Sequence, residues 1–210
     1  MSRSLFALLL IPAGLVTAQE LKPVALPAPQ TSGGKPLMQA LKERKSTREF
    51  SPEKLSPQEL SNLLWAAWGI NREDGRRTAP SASNRQEIEI YVVSADGAYV
   101  YDAKGNALKP VVSADIRKIT GTTAFVGEAP LNLVYVADFS KLGGSDENAK
   151  TATANANTGF IAQNVYLFCA SEGLGTVVRG SVNRAELSKA LSLRPDQRIT
   201  LAQTVGYIKK

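Results

Sequence analysis

The sequence predicts a single α+β domain in which helices flank a central sheet. Segments with helical spacing of apolar residues alternate irregularly with short β-branched segments typical of strands. The chain has 210 residues, of which 43% are hydrophobic and 21% charged, which is enough to bury a core. We therefore expect a signal peptide at 1–18, a Pro/Gly-rich linker or arm at 19–35, and the folded domain at 36–210.

The composition excludes several kinds of catalytic site. The chain has no histidine and one cysteine, which excludes a Ser-His-Asp hydrolase, a histidine-ligated metal, an internal disulfide and a cysteine-rich metal site. An enzyme without these groups is expected to rely on an organic cofactor. The net charge of +6 is scattered without a nucleic-acid-binding motif, so no nucleic-acid partner is expected.

The first 18 residues have the pattern of a secretory signal. Arg3 precedes the apolar run Leu5–Ile11, and small residues at Val16–Ala18 suit cleavage near Ala18. The apolar run is short for a membrane span, and an uncleaved amphipathic anchor is the alternative. The pattern predicts an exported, periplasmic protein without a stable membrane anchor.

Local signals define the helices. Pro36 opens a helix to Leu41, and the capping box Ser56-Pro57-Gln58-Glu59 opens another that ends at Gly69. We also expect a short helix at 114–119 behind Ser113 and a last helix from Asn183 to Ala190. The longest helical pattern, 151–171, is apolar on most sides, which predicts burial in the fold or in a subunit interface.

The predicted strands are β-branched or aromatic runs between turn signals. The second and third form a hairpin around Lys104-Gly105. In chain order they are Ile88–Val93, Ala98–Tyr101, Asn106–Leu108, Leu131–Ala137, Thr176–Val178 and Ile199–Ile208.

A basic segment follows the first helix. Arg44, Ser46 and Arg48 alternate, so in an extended chain their side chains share one face. Two guanidinium groups and a hydroxyl on one face can bind a phosphate dianion through charge-assisted hydrogen bonds. A solvated basic loop is the alternative.

Four separated segments carry a family resemblance. They are Arg44–Phe50, Pro80–Asn84, Gly127–Ala137 and Gly159–Gly180. In this order they resemble the Arg-x-Ser-x-Arg/Lys-x-Phe, Pro-Ser-x-x-Asn, Ala-Pro-strand and central-helix motifs of the FMN-dependent nitroreductase family, across roughly 37–210. The short, SagB-like branch is the most similar.

The resemblance implies a central mixed or antiparallel sheet, a long buried central helix, and a homodimer with FMN bound between its subunits. It implies no metal and no catalytic side chain, because the flavin carries the chemistry. The residues it implies in cofactor binding are Arg44, Lys45, Ser46, Arg48, Pro80, Ser81, Ala82, Ser83, Asn84, Val178, Arg179, Gly180, Ser181 and Lys210.

These residues are implied in three roles. The segment 44–48 would hold the phosphate and ribityl chain, and 80–84 would lie along one edge of the isoalloxazine. The turn 178–181 would offer a backbone N–H near flavin N5, with Gly180 the first choice, and a donor there stabilises the reduced flavin.

The chain departs from the family pattern at three places. Glu87-Ile88 stands where Pro-Trp often follows the Asn loop, and Gly206–Lys210 lacks the proline of the terminal Gly-Tyr-Pro. The segment Thr120–Val126 lacks the Asn and Lys that some relatives place near the flavin pyrimidine.

The function implied is transfer of hydride or electrons through flavin N5 to or from a small organic substrate, such as a nitroaromatic or a quinone. The electron donor is either NAD(P)H or an unknown redox partner, since an exported enzyme would meet little NAD(P)H. The alternatives are a SagB-like substrate dehydrogenase, a non-catalytic FMN-binding module, and a flavin-free structural dimer.

Overall fold

The computed structural model describes residues 21–210, which form a seven-stranded sheet with helices on its faces. The strand order is β1-β4-β3-β2-β5-β7-β6, and every pair is antiparallel. The strands are β1 Val24–Ala25, β2 Ile88–Ser94, β3 Gly97–Asp102, β4 Ala107–Val112, β5 Leu131–Asp138, β6 Leu174–Arg179 and β7 Gln197–Tyr207. The predicted α+β class is confirmed, and the predicted signal peptide lies outside the described residues.

Strand β5 lies at the centre of the core. All eight of its residues are buried, and it pairs with β2 on one side and β7 on the other. Its alternate side chains enter two apolar clusters, Leu133 and Tyr135 on one face and Val134 and Val136 on the other. The sheet is therefore covered on both faces, which explains the continuous apolar run in the sequence.

Within residues 21–210, five α-helices accompany the sheet. They are α1 Leu37–Glu43, α2 Pro57–Trp68, α3 Phe125–Glu128, α4 Glu147–Glu172 and α5 Arg184–Ala190. The predicted capping box of α2 is present: Ser56 Oγ accepts from Glu59 N–H at 3.2 Å, and Glu59 Oε2 accepts from Ser56 N–H at 2.8 Å. Within residues 21–210, no helix combines the length and apolar character required to cross a membrane.

Helix α4 is the long central helix that the sequence predicts, with an earlier start. It begins after Asp146, whose side chain accepts from two backbone N–H groups, and ends at Gly173, which has φ = 74°. Ile161, Val165 and Cys169 are buried against the sheet. Phe160, an apolar residue of the same helix, is 48% exposed in the single chain. The helix therefore keeps one open face.

Two local predictions were wrong. The long helix starts at Glu147 and not at residue 151 as predicted, because Asp146 caps its first turn. The helix predicted behind Ser113 is absent, and a 3-10 turn spans Arg117–Thr120 instead. Asp115 Oδ1 accepts from Arg117 N–H at 3.1 Å, so the carboxylate organises this turn and Ser113 does not cap it.

The segment 21–35 packs as an arm. Its strand β1 adds to the edge of β4, and Pro27 O accepts from Ser61 Oγ at 2.5 Å and from Asn106 Nδ2 at 2.8 Å. Both donors belong to the main domain, so the arm is joined to the sheet and to α2.

Candidate functional site

The basic segment runs extended between the end of α1 and the sheet. Arg44 leaves the helix with φ = −55° and ψ = 122°. Thr47 N–H then donates to Thr176 O at 2.9 Å, and Lys209 N–H donates to Glu49 O at 3.2 Å. The fold therefore places the cations of 44–48 beside the C-terminal Lys209-Lys210.

These cations have no carboxylate partner within the described part of the chain. Among the ion pairs of residues 21–210, none involves Arg44, Lys45, Arg48, Lys209 or Lys210. Arg48, Lys209 and Lys210 line one cavity of about 210 Å³, with the carboxylates of Glu49 and Glu128 also in its lining. Lys45 lines a neighbouring cavity of about 390 Å³ together with Tyr166. Five unpaired cations in one region are chemically suited to a phosphate.

Tyr166 of α4 joins two of the predicted segments. Its hydroxyl lies 2.9 Å from Ser46 Oγ and accepts from Val178 N–H at 3.0 Å. Its ring centroid is 5.2 Å from the Arg44 guanidinium carbon, a distance typical of cation–π contact. Sequence reasoning missed Tyr166. The available signal was a tyrosine within an apolar helix, because a buried phenol requires a hydrogen-bond partner.

The turn after β6 presents an open backbone donor. Strand β6 is the edge of the sheet, so every second residue directs its N–H and C=O away from β7. Thr176 O accepts from Thr47, Val178 N–H donates to Tyr166, and Gly180 is next in this series. No acceptor for Gly180 N–H is found within residues 21–210. Gly180 and Ser181 are both exposed.

Arg179 differs from its neighbours because its side chain enters the fold. The guanidinium is buried and donates to Thr120 O at 2.7 Å, Asn132 Oδ1 at 3.0 Å and Thr204 Oγ1 at 3.2 Å. Burial lowers the pKa of Arg179 to about 10, which leaves it charged at neutral pH. The side chain therefore lies behind the turn while its backbone forms part of it.

The loop 80–84 is held in a defined conformation at the protein surface. Ser83 and Asn84 have φ of 51° and 53°, in the left-handed region that costs energy for residues other than glycine. Ala82 N–H donates to Asn157 Oδ1 of α4 at 3.3 Å, and Gln86 N–H donates to Ser81 Oγ at 3.0 Å. The loop is thus preshaped, with Ala82–Asn84 exposed.

Glu87 and Asn157 support this loop from beneath. Asn157 Nδ2 donates to Glu87 Oε1 at 2.7 Å, and Glu87 is fully buried. The other carboxylate oxygen, Oε2, has no hydrogen-bond partner within residues 21–210. The glutamate that departs from the family pattern therefore helps to fix the Asn157 amide that binds the loop.

Helix α4 separates the two halves of the predicted site. Asn157 and Tyr166 are nine residues apart, which is about 14 Å along the helix and about half a turn around it. An exposed stripe lies between them and includes Ala156, Phe160 and Gln163. Within one chain the fold brings Arg44, Ser46 and Val178 together at Tyr166 and places Arg48 with Lys210. The loop 80–84 lies on the other flank of α4.

Comparison with known proteins identifies the class to which this fold and site belong. The Nitroreductase family model matches residues 41–207, so the chain belongs to this family. It is an FMN-dependent oxidoreductase.

Individual relatives agree with this assignment. A proposed nitroreductase from Methanocaldococcus jannaschii is 30% identical over 168 residues, which cover 75% of this chain and 85% of the relative. The crystal structure of a proposed nitroreductase from Ralstonia eutropha JMP134 is 41% identical, with 97% of each chain covered and a TM-score of 0.86. A Desulfovibrio desulfuricans structure in complex with FMN shares the fold at 22% identity and a TM-score of 0.62, covering 85% of this chain and 89% of that one.

Proposed function

We propose that this chain is a homodimeric enzyme that binds FMN at two equivalent sites and transfers electrons to or from a small organic substrate, such as a nitroaromatic or a quinone. The observation that carries the proposal is the hydrogen-bonded connection Ser46–Tyr166–Val178. It joins a cluster of unpaired cations to the strand edge on which the open Gly180 N–H lies.

The chemistry of the donor set fits FMN. Arg44, Lys45 and Arg48, with Lys209 and Lys210 beside them, would bind the phosphate, because they are cations without carboxylate partners among the described residues. Ser46 would bind the ribityl chain, and Gly180 N–H would donate to the flavin near N5. Bound FMN supplies the hydride or electron transfer. Protons can come from solvent, because Gly180 and Ser181 are exposed.

The open stripe of α4 supports the proposed homodimer. Pairing Phe160 and Gln163 with the same residues of a second copy would bury an exposed aromatic ring on a continuous helix face. A two-fold axis between these residues runs the two α4 helices antiparallel and makes the contact self-complementary. Position 157 of one protomer then lies at the same height along the helix pair as position 166 of its partner, because both are about equally far from the axis.

The dimer would complete each site from both chains. The loop 80–84, bound to Asn157, would lie at the height of the partner's Tyr166. One protomer would therefore supply the phosphate cations and Gly180, and the other would supply the loop along the isoalloxazine edge.

Mixed dimers test the shared site. Arg44→Glu and Ala82→Trp should each abolish FMN binding as homodimers. A heterodimer of the two variants should bind FMN at one of its two sites, because one site keeps both intact halves. Absence of any binding in the heterodimer would show that each protomer builds its own site.

Anaerobic reduction tests the reaction. We expect the bound FMN spectrum to bleach with NADH or NADPH and to recover when a nitroaromatic or quinone is added. Bleaching by a small organic substrate, but by neither nucleotide, would assign the chain to the SagB-like substrate dehydrogenases. Bound FMN that no donor reduces would contradict the enzymatic proposal and favour an FMN-binding module.

We also propose that the enzyme works outside the cytoplasm. The signal-like pattern at 1–18 supports this, and in that compartment a redox partner would be the electron donor. N-terminal sequencing of the protein from a periplasmic fraction should begin near Gln19, and recovery of uncleaved protein from the cytoplasm would contradict the proposal.

A further inference from the structure

Arg179 is a buried cation that has no counter-charge among the residues that the structure describes. It is 7% exposed, and its three hydrogen bonds go to neutral acceptors: a backbone carbonyl, an amide and a hydroxyl. None of the ion pairs within residues 21–210 includes it. Buried charges in proteins are normally paired because their desolvation is costly. Each nitrogen of this guanidinium makes one hydrogen bond, but no carboxylate among residues 21–210 pairs with its charge.

The surroundings hold the guanidinium firmly in place. Asn132 Oδ1, which accepts from Arg179, also accepts from Thr204 Oγ1 at 2.7 Å, and Asn132 Nδ2 donates to Val126 O at 2.8 Å. A Cβ atom at Gly121 would collide with Arg179 Nη1, so glycine is required there while the arginine keeps this position. The network fixes a positive charge in the interior, at the end of a side chain whose backbone belongs to the turn that carries Gly180.

A cofactor that gains negative charge at this turn would supply the missing counter-charge. Two-electron reduction of FMN with uptake of one proton adds one negative charge to the flavin. A fixed cation in the protein interior, where water screens charge weakly, favours that product over the neutral oxidised ring. It does so without contact, because Coulomb interactions extend beyond hydrogen-bond distance.

We propose that the buried guanidinium of Arg179 is an electrostatic positioning group that stabilises the reduced, anionic form of FMN bound at the turn 178–181. This inference rests on the proposed FMN site. It assigns the Arg179 side chain a role apart from any backbone contact.

Three substitutions separate the electrostatic role of Arg179 from its structural role. Arg179→Met removes the charge and the hydrogen bonds, whereas Arg179→Lys keeps the charge and loses the planar fork. Asn132→Asp keeps the arginine and introduces a carboxylate at hydrogen-bond distance from it, with the loss of the Nδ2 hydrogen bond to Val126 O. Arg198→Met is the control, because it removes an exposed cation of β7. Arg198 lies about 14 Å along β7 from Ala202, the residue that pairs with Arg179.

The readouts are the affinities for oxidised FMN, the midpoint potential of the bound cofactor in an anaerobic dithionite titration, and the thermal unfolding of the FMN-free protein. We expect Arg179→Met and Asn132→Asp to weaken the preference for reduced over oxidised FMN by about tenfold, which lowers a two-electron potential by about 30 mV. Arg179→Lys and Arg198→Met should stay near the wild-type potential. In the FMN-free protein, Arg179→Lys and Arg179→Met should both lower the melting temperature.

A purely structural role predicts a different pattern. The inference would be overturned if the midpoint potential fell in proportion to the melting temperature, so that Arg179→Lys lowered the potential as much as Arg179→Met. An unchanged midpoint potential in Asn132→Asp would also overturn it. If Arg179→Met fails to fold, Asn132→Asp decides alone. If the wild-type protein binds no FMN, both this inference and the proposed function fail; if it binds FMN and the potentials do not move, only this inference fails.

Discussion

At the scale of single residues, Tyr166 determines how the candidate site is assembled. Its hydroxyl contacts Ser46 Oγ and Val178 N–H, and its ring supports Arg44. Removing the hydroxyl leaves the partially buried Val178 N–H without its acceptor and frees the Ser46 side chain. We expect Tyr166→Phe to weaken FMN binding by about tenfold, because one or two hydrogen bonds of roughly 1 kcal/mol each are lost. Fluorescence titration of FMN measures this loss.

Tyr101→Phe is the matched control for Tyr166→Phe. The Tyr101 hydroxyl makes one long hydrogen bond, 3.4 Å to Asn106, on the β3–β4 side of the sheet. Its loss should leave FMN affinity unchanged. Equal affinities for the wild type and Tyr166→Phe would show that the phenol has no part in cofactor binding.

At the scale of elements, Ser56 and Ser113 can be compared directly, because each precedes a helix that the sequence predicts. Ser56 caps α2, whereas Ser113 precedes only a 3-10 turn and caps nothing in the described structure. Ser56→Ala should destabilise the protein by about 1 kcal/mol, which lowers the melting temperature by about 2–4 °C in a chain of this size. Ser113→Ala should leave it unchanged. Calorimetry of both variants would refute the helix assignments if the effects were reversed.

A second prediction at this scale concerns the ends of β5 and β7. Burial raises the pKa of Asp138, but hydrogen bonds from Ser140 and Arg194 lower it, and the net pKa lies below 3.8. The ionised carboxylate therefore contributes stability that is present above about pH 4 and is lost as the pH falls through the folded-state pKa.

Asp138→Asn tests this contribution to acid stability. Urea unfolding of the wild type should show a loss of stability below about pH 4, and the variant should show a smaller loss over the same range. The variant should also be less stable at neutral pH, since Arg194 loses its charged partner. Parallel curves for the two proteins would contradict the role of Asp138.

The elements set by local chemistry could be predicted from the sequence. The capping box at Ser56, the glycine at 173 and the apolar run of β5 each identify their element from a few neighbouring residues. The helix behind Ser113 was predicted wrongly, because the Asp115 carboxylate accepts a hydrogen bond from Arg117 N–H and organises a 3-10 turn instead. The joining of the arm to β4 could not be predicted, because a two-residue strand carries no periodic signal.

At the scale of the whole molecule, the open stripe of α4 controls dimer formation in the proposed function. Phe160 is 48% exposed at its centre. Phe160→Lys should convert the dimer to monomers and abolish FMN binding, because the loop 80–84 of the partner would be lost. Analytical ultracentrifugation with FMN titration measures both effects.

Val111→Lys is the control for Phe160→Lys. Val111 is an exposed apolar residue of β4, 37% exposed and distant from α4 in the sheet. This variant should remain dimeric and bind FMN. A Phe160→Lys protein that stayed dimeric with full FMN affinity would contradict the shared site.

The candidate site could be predicted only in part. The cations of 44–48 and the turn at Gly180 were identified from sequence motifs, and the fold brings them together through Tyr166. Their separation from the loop 80–84 could not be predicted, because it depends on which flank of α4 each segment contacts. The buried environment of Arg179 also required the structure, since its acceptors at 120, 132 and 204 are distant in sequence.

The central claim is that the purified chain binds FMN at the cation cluster beside Gly180. The most direct test is the visible absorption spectrum of the protein titrated with FMN, beside Arg44→Glu. We predict a perturbed flavin spectrum that saturates near one FMN per protomer and is absent in the variant. A wild-type protein that shows no bound flavin in excess FMN would contradict the claim.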